Sequence, residues 1–415
     1  MPQMDIIIFE DEGYKHLFPL TLSRPVFDLR CGITTLAEKI AAYFKGREIS
    51  FTARPVFRHT TEDSQRKYSA TPKNNTLFIS GRVVMNEKFK TVLNELPDNT
   101  MLAQGDTVLV AKLTKEKIAA AHIQDGVVTF DASLPMQQTS NALCIEYPWH
   151  LVSHNAEYIE EDAKKYTLGK IPKDLPKTVS LLEEERIFIA PSAQIMPGVV
   201  LDAREGAIVI DEEAEILPNA VLTGPIYVGK HSKIKAGAKI YEGTTIGDVC
   251  KVGGEVEESI IHGYSNKQHE GFLGHAYLGM WCNLGADTNN SDLKNSYGDV
   301  QVYINGKKTD TKEMFVGLFM GDHSKSGINT MFNTGTVIGF CSNVFGSGYL
   351  PKYVPSFTWL DAEKGATAYD MKKAKEVAGR VMARRKMEFS ESDNEIFDYI
   401  YSLTEKERNY DKKSY

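Results

Sequence analysis

Residues Ile226–Lys251 read IYVGKHSKIKAGAKIYEGTTIGDVCK, and the rhythm of this stretch decides the fold of the chain's middle. It divides into steps of about six residues, with aliphatic side chains at Ile234, Ile240 and Ile246 and Gly or another small residue close behind. Each step makes one short strand and one corner. The aliphatic points into a prism, and the small residue sits where the backbone turns and a Cβ would crowd. Stacked coils then bury a continuous apolar column and pair their backbones with the coils above and below.

Outward from there the rhythm continues in both directions. It begins near Ile187 with IAPSAQ, IMPGVV and LDAREGA, resumes as FLGHAY, LGMWCN and LGADTN, and runs through MGDHSKSG, INTMFN and VIGFCS to about Trp359. The fold expected for residues 180–360 is a left-handed parallel β-helix of hexapeptide repeats. Two interruptions are expected, a loop over His262–Gly271 and a hairpin over Tyr297–Thr311 that turns at Asn305–Gly306.

The flanking segments have other textures. Residues 1–175 alternate β-like runs (Asp5–Phe9, Leu77–Ser80, Thr107–Ala111) with helical ones (Thr34–Phe44, Glu87–Leu96, Lys115–His122), which predicts an α/β domain. The text GKIPKDLP at Gly169–Pro176 predicts the linker. Residues 361–415 form a helical tail, with helices expected over Tyr369–Met387 and Ser390–Glu405. These helices are expected to cap the open end of the β-helix or to pack on a neighbouring subunit.

Bulk properties narrow the class. The chain has 415 residues, 42% of them hydrophobic and 25% charged, with a formal net charge of −7. That balance describes a soluble globular protein of two or three domains and speaks against nucleic-acid binding. Cys31, Cys144, Cys250, Cys282 and Cys341 are scattered without a C-x-x-C pair, as expected of reduced thiols in the cytoplasm. The apolar run Ile6–Phe9 is too short for a signal peptide or a membrane span.

The run S-N-K-Q-H-E-G-F-L-G-H-A-Y-L-G-M-W-C-N-L-G-A-D-T (Ser265–Thr288) resembles the acetyltransferase half of the bifunctional bacterial enzymes that make UDP-N-acetylglucosamine. The resemblance implies that His269 is the general base that activates an amine or hydroxyl for attack on acyl-CoA, a task suited to imidazole. It places Asn283 at a substrate-contacting position. Thr288, Asn289 and Asn290 offer neutral hydrogen-bonding groups for sugar hydroxyls, and Asp292 stands where the family has asparagine. Phe272 replaces a tyrosine and Asp287 a glycine. His262 and His275 read as corner residues. Asp322 and His323 interrupt an apolar repeat, where a charge costs free energy unless hydrogen-bonded, so a binding role and a salt-bridged corner are both open.

The opening DIIIFEDEGYKHLFPLTLSRPVFDLRCGITTLAEKI (Asp5–Ile40) is similar to sugar-1-phosphate nucleotidyltransferases, closest to a divergent branch with a β-helix behind that domain. The resemblance implies a nucleotide and a sugar phosphate as ligands and Mg²⁺ as cofactor. Arg24 and Arg30 flank the turn where phosphates are expected and could clamp them. The family's Gly-rich loop is absent, and LFISGR puts Gly81 and Arg82 where a metal-binding Asp is usual. Asp11, Glu10 or Asp28 could supply a metal ligand, and His154 or Asn155 a second one. Three readings follow: a bifunctional nucleotidyl- and acyltransferase, an acyltransferase whose first domain only binds nucleotide-sugar, and a silent sugar-nucleotide-binding scaffold. All are expected to assemble as a homotrimer through the β-helix.

Overall fold

The computed structural model describes residues 4–58, 67, 68, 72 and 74–408. Its N-terminal domain is built on a seven-stranded mixed sheet in the order Met136–Gln138, Thr100–Gln104, Thr107–Leu113, Thr76–Ser80, Asp5–Phe9, Ile49–Thr52, Lys67–Tyr68. The first strand, DIIIF, is central and parallel to both neighbours. Its side chains alternate between faces, so both faces need an apolar cover. Ile6 and Ile8 pack toward Ile40 of helix α1 (Leu36–Ala42) and Phe89 of α2 (Glu87–Glu95). Ile7 and Phe9 pack against Phe78, Met101 and Val128 on the other side. Thr35 opens α1 with a reciprocal capping box to Glu38, and Asn86 caps α2.

The helix expected over Lys115–His122 is instead a 3₁₀ turn, Lys115–Ala120, followed by the strand Ala121–Gln124. Asp125 and Gly126 both take positive φ, 50° and 77°. They fold that strand back on Val127–Phe130, as an Asp-Gly pair does in a two-residue hairpin.

From Ser180 the chain forms three parallel sheets whose strands are related coil by coil, as in Ile187–Ile189, Ile208–Ile210, Ile226–Val228 and Thr244–Ile246. This is the left-handed β-helix of the hexapeptide kind. Its interior is one column that includes Ile189, Ile210, Val228, Ile246, Leu278 and Ile338. The segment His262–Gly271 does not project as a loop. Asn266–Lys267 keeps register with Lys251–Val252, and only the residues after it turn out. The second interruption does form a hairpin, with Gln301–Ile304 paired to Lys307–Asp310 across Asn305–Gly306.

Glycine is less general at the corners than the repeat suggests. One corner is held in the left-handed region by Glu213, His231, Val249, Tyr264, Trp281, His323, Cys341 and Phe357, with φ between 51° and 61°. Each non-glycine residue there costs about 1 kcal/mol or more, offset by the packing and strand pairing around it.

The three outer faces differ in chemistry. One presents Val209, Tyr227, Ile260, Tyr277, Phe319 and Val337, all buried against the N-terminal domain. The second presents Glu215, Lys233, Lys251, Asn266, Asn283, Lys325 and Asn343 in register. The third presents Glu255, Phe272, Asn289, Met331 and Tyr349.

After α3 (Pro148–Ser153) and α4 (Asn155–Ala163) of the N-terminal domain, the tail forms α5 (Met371–Ala383) and α6 (Glu391–Leu403). These helices pack on the aromatic corner rather than on the open end. Phe397 meets Phe340, Phe357 and Phe389. Ile396 and Ile400 share that cluster with Leu22 and Phe57 of the N-terminal domain. No helix among the described residues is long and apolar enough to cross a membrane.

Candidate functional site

Two places gather chemically capable groups. The first is the corner where the third face of the β-helix turns toward the domain-covered one. His275 stands there with φ 47°, directly after the strand Phe272–Gly274. Its Nδ1 lies 2.8 Å from Asp292 Oδ2, and its ring stacks on Phe315 at 5.1 Å. Gly274 allows this approach, because a Cβ there would lie 2.5 Å from Asp292 Oδ2. Glu257 completes a trio whose ligand-type atoms all lie within 4.8 Å of one another. Burial and the neighbouring Asp292 push the Glu257 carboxyl up from its ordinary value, while His275 works the other way. The His275 side chain is 21% exposed, so the carboxylate holds one nitrogen while the ring stays within reach of solvent.

The second place is a cleft of about 650 Å³ at the carboxyl ends of the first two sheet strands. It is lined by Glu12, Tyr14, Lys15, Arg54, Gln124 and Asp125, among others. Arg54 is 3% exposed and lies between the rings of Tyr14 and Phe57, at 3.9 and 4.6 Å. Its Nε and Nη2 donate to Glu10, and Nη2 also donates to the carbonyls of Thr21 and Arg24. Its Nη1 is buried with no hydrogen-bond partner. A buried guanidinium arm without an acceptor is costly and marks a place for an anion.

The residues singled out in the sequence are distributed differently from that expectation. Arg24 does not line the cleft. It is buried and donates from both terminal nitrogens to Asp322, which also accepts from Ser23 Oγ and the Met280 amide. Arg30 turns toward the β-helix: its amide donates to Tyr277 Oη and its Nη1 to the Ile33 carbonyl. Tyr277 Oη also hydrogen-bonds His262 Nδ1, 2.9 Å away. Burial, helped by Arg24 and Arg30, holds the His262 imidazole well below its ordinary pKa. Asn155 accepts from the Gly32 amide and donates to the Gly243 carbonyl and Thr245, joining the domains.

Within the β-helix, His269 is exposed at the corner before Phe272–Gly274, at the opposite end of that strand from His275. Asn283 lies on the polar second face, bridged to Asn266 and Lys325. Thr288 hydrogen-bonds Ser326 at 2.9 Å. Asn289 accepts from the Phe272 amide, while Asn290 both accepts from and donates to the Gly274 backbone. These side chains stand in for strand pairing where adjacent coils separate. His323 is buried, stacked on Trp281 at 6.1 Å and edge-on to Phe397.

The carboxylates considered for Mg²⁺ fit it poorly. Glu10 is neutralised by Arg54, and Asp11 by a bidentate contact from Arg82 at 2.9 and 2.7 Å. The Arg82 guanidinium thus supplies to Asp11 the positive charge that a metal would bring. Asp28 does not line the cleft. Lys15, Arg54 and the pairing of His275 with Asp292, itself named among the binding candidates, were missed in the sequence. The adjacent signals, a Lys in EDEGYKH and the text FLGH followed 17 residues later by SD, do not reveal which groups meet.

An α/β sheet domain docked on a left-handed β-helix thus carries two candidate sites, an anion-ready cleft and a histidine–carboxylate pair. Residues 6–171 match the family model described as sugar nucleotidyl transferase. The chain is similar to the bifunctional protein GlmU of Methanococcus maripaludis, 29% identical over 195 residues that cover 47% of this chain and 41% of that protein. It is also similar to a bifunctional sugar-1-phosphate nucleotidylyltransferase/acetyltransferase of Sulfurisphaera tokodaii, 30% identical over 143 residues, covering 34% and 36%. The matched stretches therefore span less than half of these relatives. A solved UDP-N-acetylglucosamine acyltransferase aligns at 17% identity and a TM-score of 0.23, covering 55% of this chain and 82% of that one.

Proposed function

We propose that the protein is a transferase of sugar-nucleotide metabolism in which the β-helix transfers an acyl group and the N-terminal cleft binds the nucleotide part of its ligand. The observation that carries this reading is the 2.8 Å contact of His275 with Asp292 at a solvent-reachable corner. Asp292 holds the Nδ1 proton and so leaves Nε2 as the basic nitrogen. Nε2 takes a proton from an acceptor amine or hydroxyl as that group attacks the thioester carbonyl. The tetrahedral adduct then breaks its C–S bond, and the proton returns from the imidazolium to the leaving thiolate. Glu257, Asn289 and Phe272 lie on the same face as acceptor-binding candidates. His269, the base implied by resemblance, has no carboxylate partner among the described residues.

In the cleft, the unpartnered Nη1 of Arg54 and the ammonium of Lys15, which also pairs with Glu12, supply hydrogen-bond donors for phosphates, and Tyr14 supplies a ring for a base or sugar. Glu10 and Asp11 are already neutralised, which favours binding over Mg²⁺-dependent nucleotidyl transfer. A homotrimer is part of the proposal. Met331 and Tyr349 on the third face, with Met314, Phe315 and Ile328, are 36–70% exposed, and an apolar surface of this kind suits a subunit contact beside His275.

The test is thiol release from acetyl-CoA over a panel of amino sugars and UDP- or dTDP-linked amino sugars. His275→Ala is expected to lower turnover by about 10²–10⁴, and Asp292→Asn to lower it while preserving the fold. Full activity in His275→Ala together with loss in His269→Ala would move the base to His269. Activity abolished by a chelator and restored by zinc would make the Glu257–His275–Asp292 trio a metal site instead.

A further inference from the structure

The polar face of the β-helix changes character along its length. On the coils around residues 212–233 every basic side chain has an acidic partner. Lys230 meets Glu212 at 2.8 Å, His231 meets Glu213 at 3.0 Å and Lys233 meets Glu215 at 2.6 Å. One coil further on, Lys251 follows Lys233 in register, and the next residues in that register, Asn266 and Asn283, carry no charge. Burial, and after it the positive charges of Arg385, Lys233, Arg384 and Lys235, pull the Lys251 pKa down. Among the described residues none of Lys235, Lys251, Arg384 or Arg385 forms an ion pair.

The tail helix brings two of these charges there. Arg384 is the C-cap of α5, where the free carbonyls of the last turn favour a cation, and Arg385 follows it. Arg385 Nη2 donates to Asn266 Oδ1 at 2.8 Å, while its Nε is buried without a partner. Asn266 in turn donates to Asn283 Oδ1 at 3.3 Å, so the next two rungs are neutral amides. Mutual repulsion among four cations destabilises the fold unless something negative sits among them.

We infer that this rung, formed by Lys251, Lys235, Arg384 and Arg385 with Asn266 beside them, binds a multiply charged phosphate group. Asn266 is in register with Lys251 and accepts from Arg385, so Lys251 and Arg385 can both meet one phosphate. Arg384 can close on the same oxygens with two parallel hydrogen bonds. The site lies on the face that the N-terminal domain leaves uncovered, and it does not depend on the acyl-transfer reading. It also gives the tail helix a task beyond packing, because α5 delivers half of the charge.

Calorimetric titration of the full chain with inorganic pyrophosphate, at constant ionic strength and without divalent cations, tests the inference. The Lys251→Gln/Arg384→Gln variant should bind about tenfold more weakly or worse. Its melting temperature without ligand should be equal to or above that of the wild type, since repulsion is relieved. Lys251→Arg should keep the affinity. Lys15→Gln, in the N-terminal cleft, should leave this binding event in place. Wild-type affinity in the Lys251→Gln/Arg384→Gln variant overturns the inference, as does pyrophosphate binding that disappears in Lys15→Gln alone. No detectable binding by the wild type at millimolar pyrophosphate overturns it as well.

Discussion

Arg24 and Asp322 are 298 positions apart and meet as a buried ion pair. Two charges withdrawn from water are tolerated because the carboxylate also receives the Ser23 hydroxyl and the Met280 amide. Removing one partner leaves the other charge buried, which costs about 3–5 kcal/mol. Arg24→Met is therefore expected to lower the free energy of urea unfolding by that amount, and Arg24→Met/Asp322→Asn by less. A loss under about 1 kcal/mol in the single variant would mean that the pair is solvated. Both residues were legible in the sequence as unusual: Arg24 in LTLSRP, and Asp322 as a charge inside an apolar repeat. Nothing local said that each was the other's partner. His275 teaches the same lesson. Its sequence context reads as a corner, and its chemistry comes from Asp292, which a turn of the solenoid brings beside it.

At the scale of elements, Asp162 shows how one carboxylate fixes several segments. It sits near the end of α4 (Asn155–Ala163) and accepts from the amides of Ile33 and Thr34, the Thr34 hydroxyl and the ammonium groups of Lys39 and Lys165. Burial works to raise its pKa, but Lys39 and Lys165 outweigh it and hold the carboxyl below its ordinary value. A carboxyl depressed in the folded state contributes stability above its unfolded pKa, about 3.9. That contribution is lost as pH falls through the folded value. Acid unfolding followed by circular dichroism should thus show a steeper loss of stability below about pH 4 in the wild type than in Asp162→Asn. The aromatic corner is a second element-scale device. Phe397 of α6 touches His323, Phe340, Phe357 and Phe389, and Phe397→Ala is expected to cost about 3–5 kcal/mol in thermal or urea unfolding. The tail helices were readable from their period and from the opening SESDNE at Ser390–Glu395. Their docking place was not, because it depends on a corner ladder that forms only when the coils stack.

At the scale of the molecule, the β-helix is both scaffold and partner. Tyr277 and Phe319 are fully buried against Leu151, Trp149 and Val152, so the N-terminal domain covers apolar surface that would otherwise face water. Scanning calorimetry is expected to give one cooperative transition for both domains, and a separate early transition would contradict that coupling. If the proposed trimer holds, light scattering at micromolar concentration should return three times the 46.4 kDa chain mass, and Met331→Lys/Tyr349→Lys should return one.

The sequence by itself determined the repeat, the hairpin at Asn305–Gly306, the two tail helices and the central strand Asp5–Phe9. Each of these rests on forces between residues close in the chain: corner sterics, turn dihedrals, local hydrogen bonds and alternation of side chains. Only the tertiary structure decided that one face of the prism would be apolar and covered, another basic and a third equipped with His275 and Asp292. It alone decided that Arg24 would bind Asp322 and that Arg54 would keep a nitrogen unpaired beside a cleft. Those outcomes depend on which coil lies above which and on how two domains share a surface, and a pair of charges far apart in sequence finds its partner only after that stacking is complete.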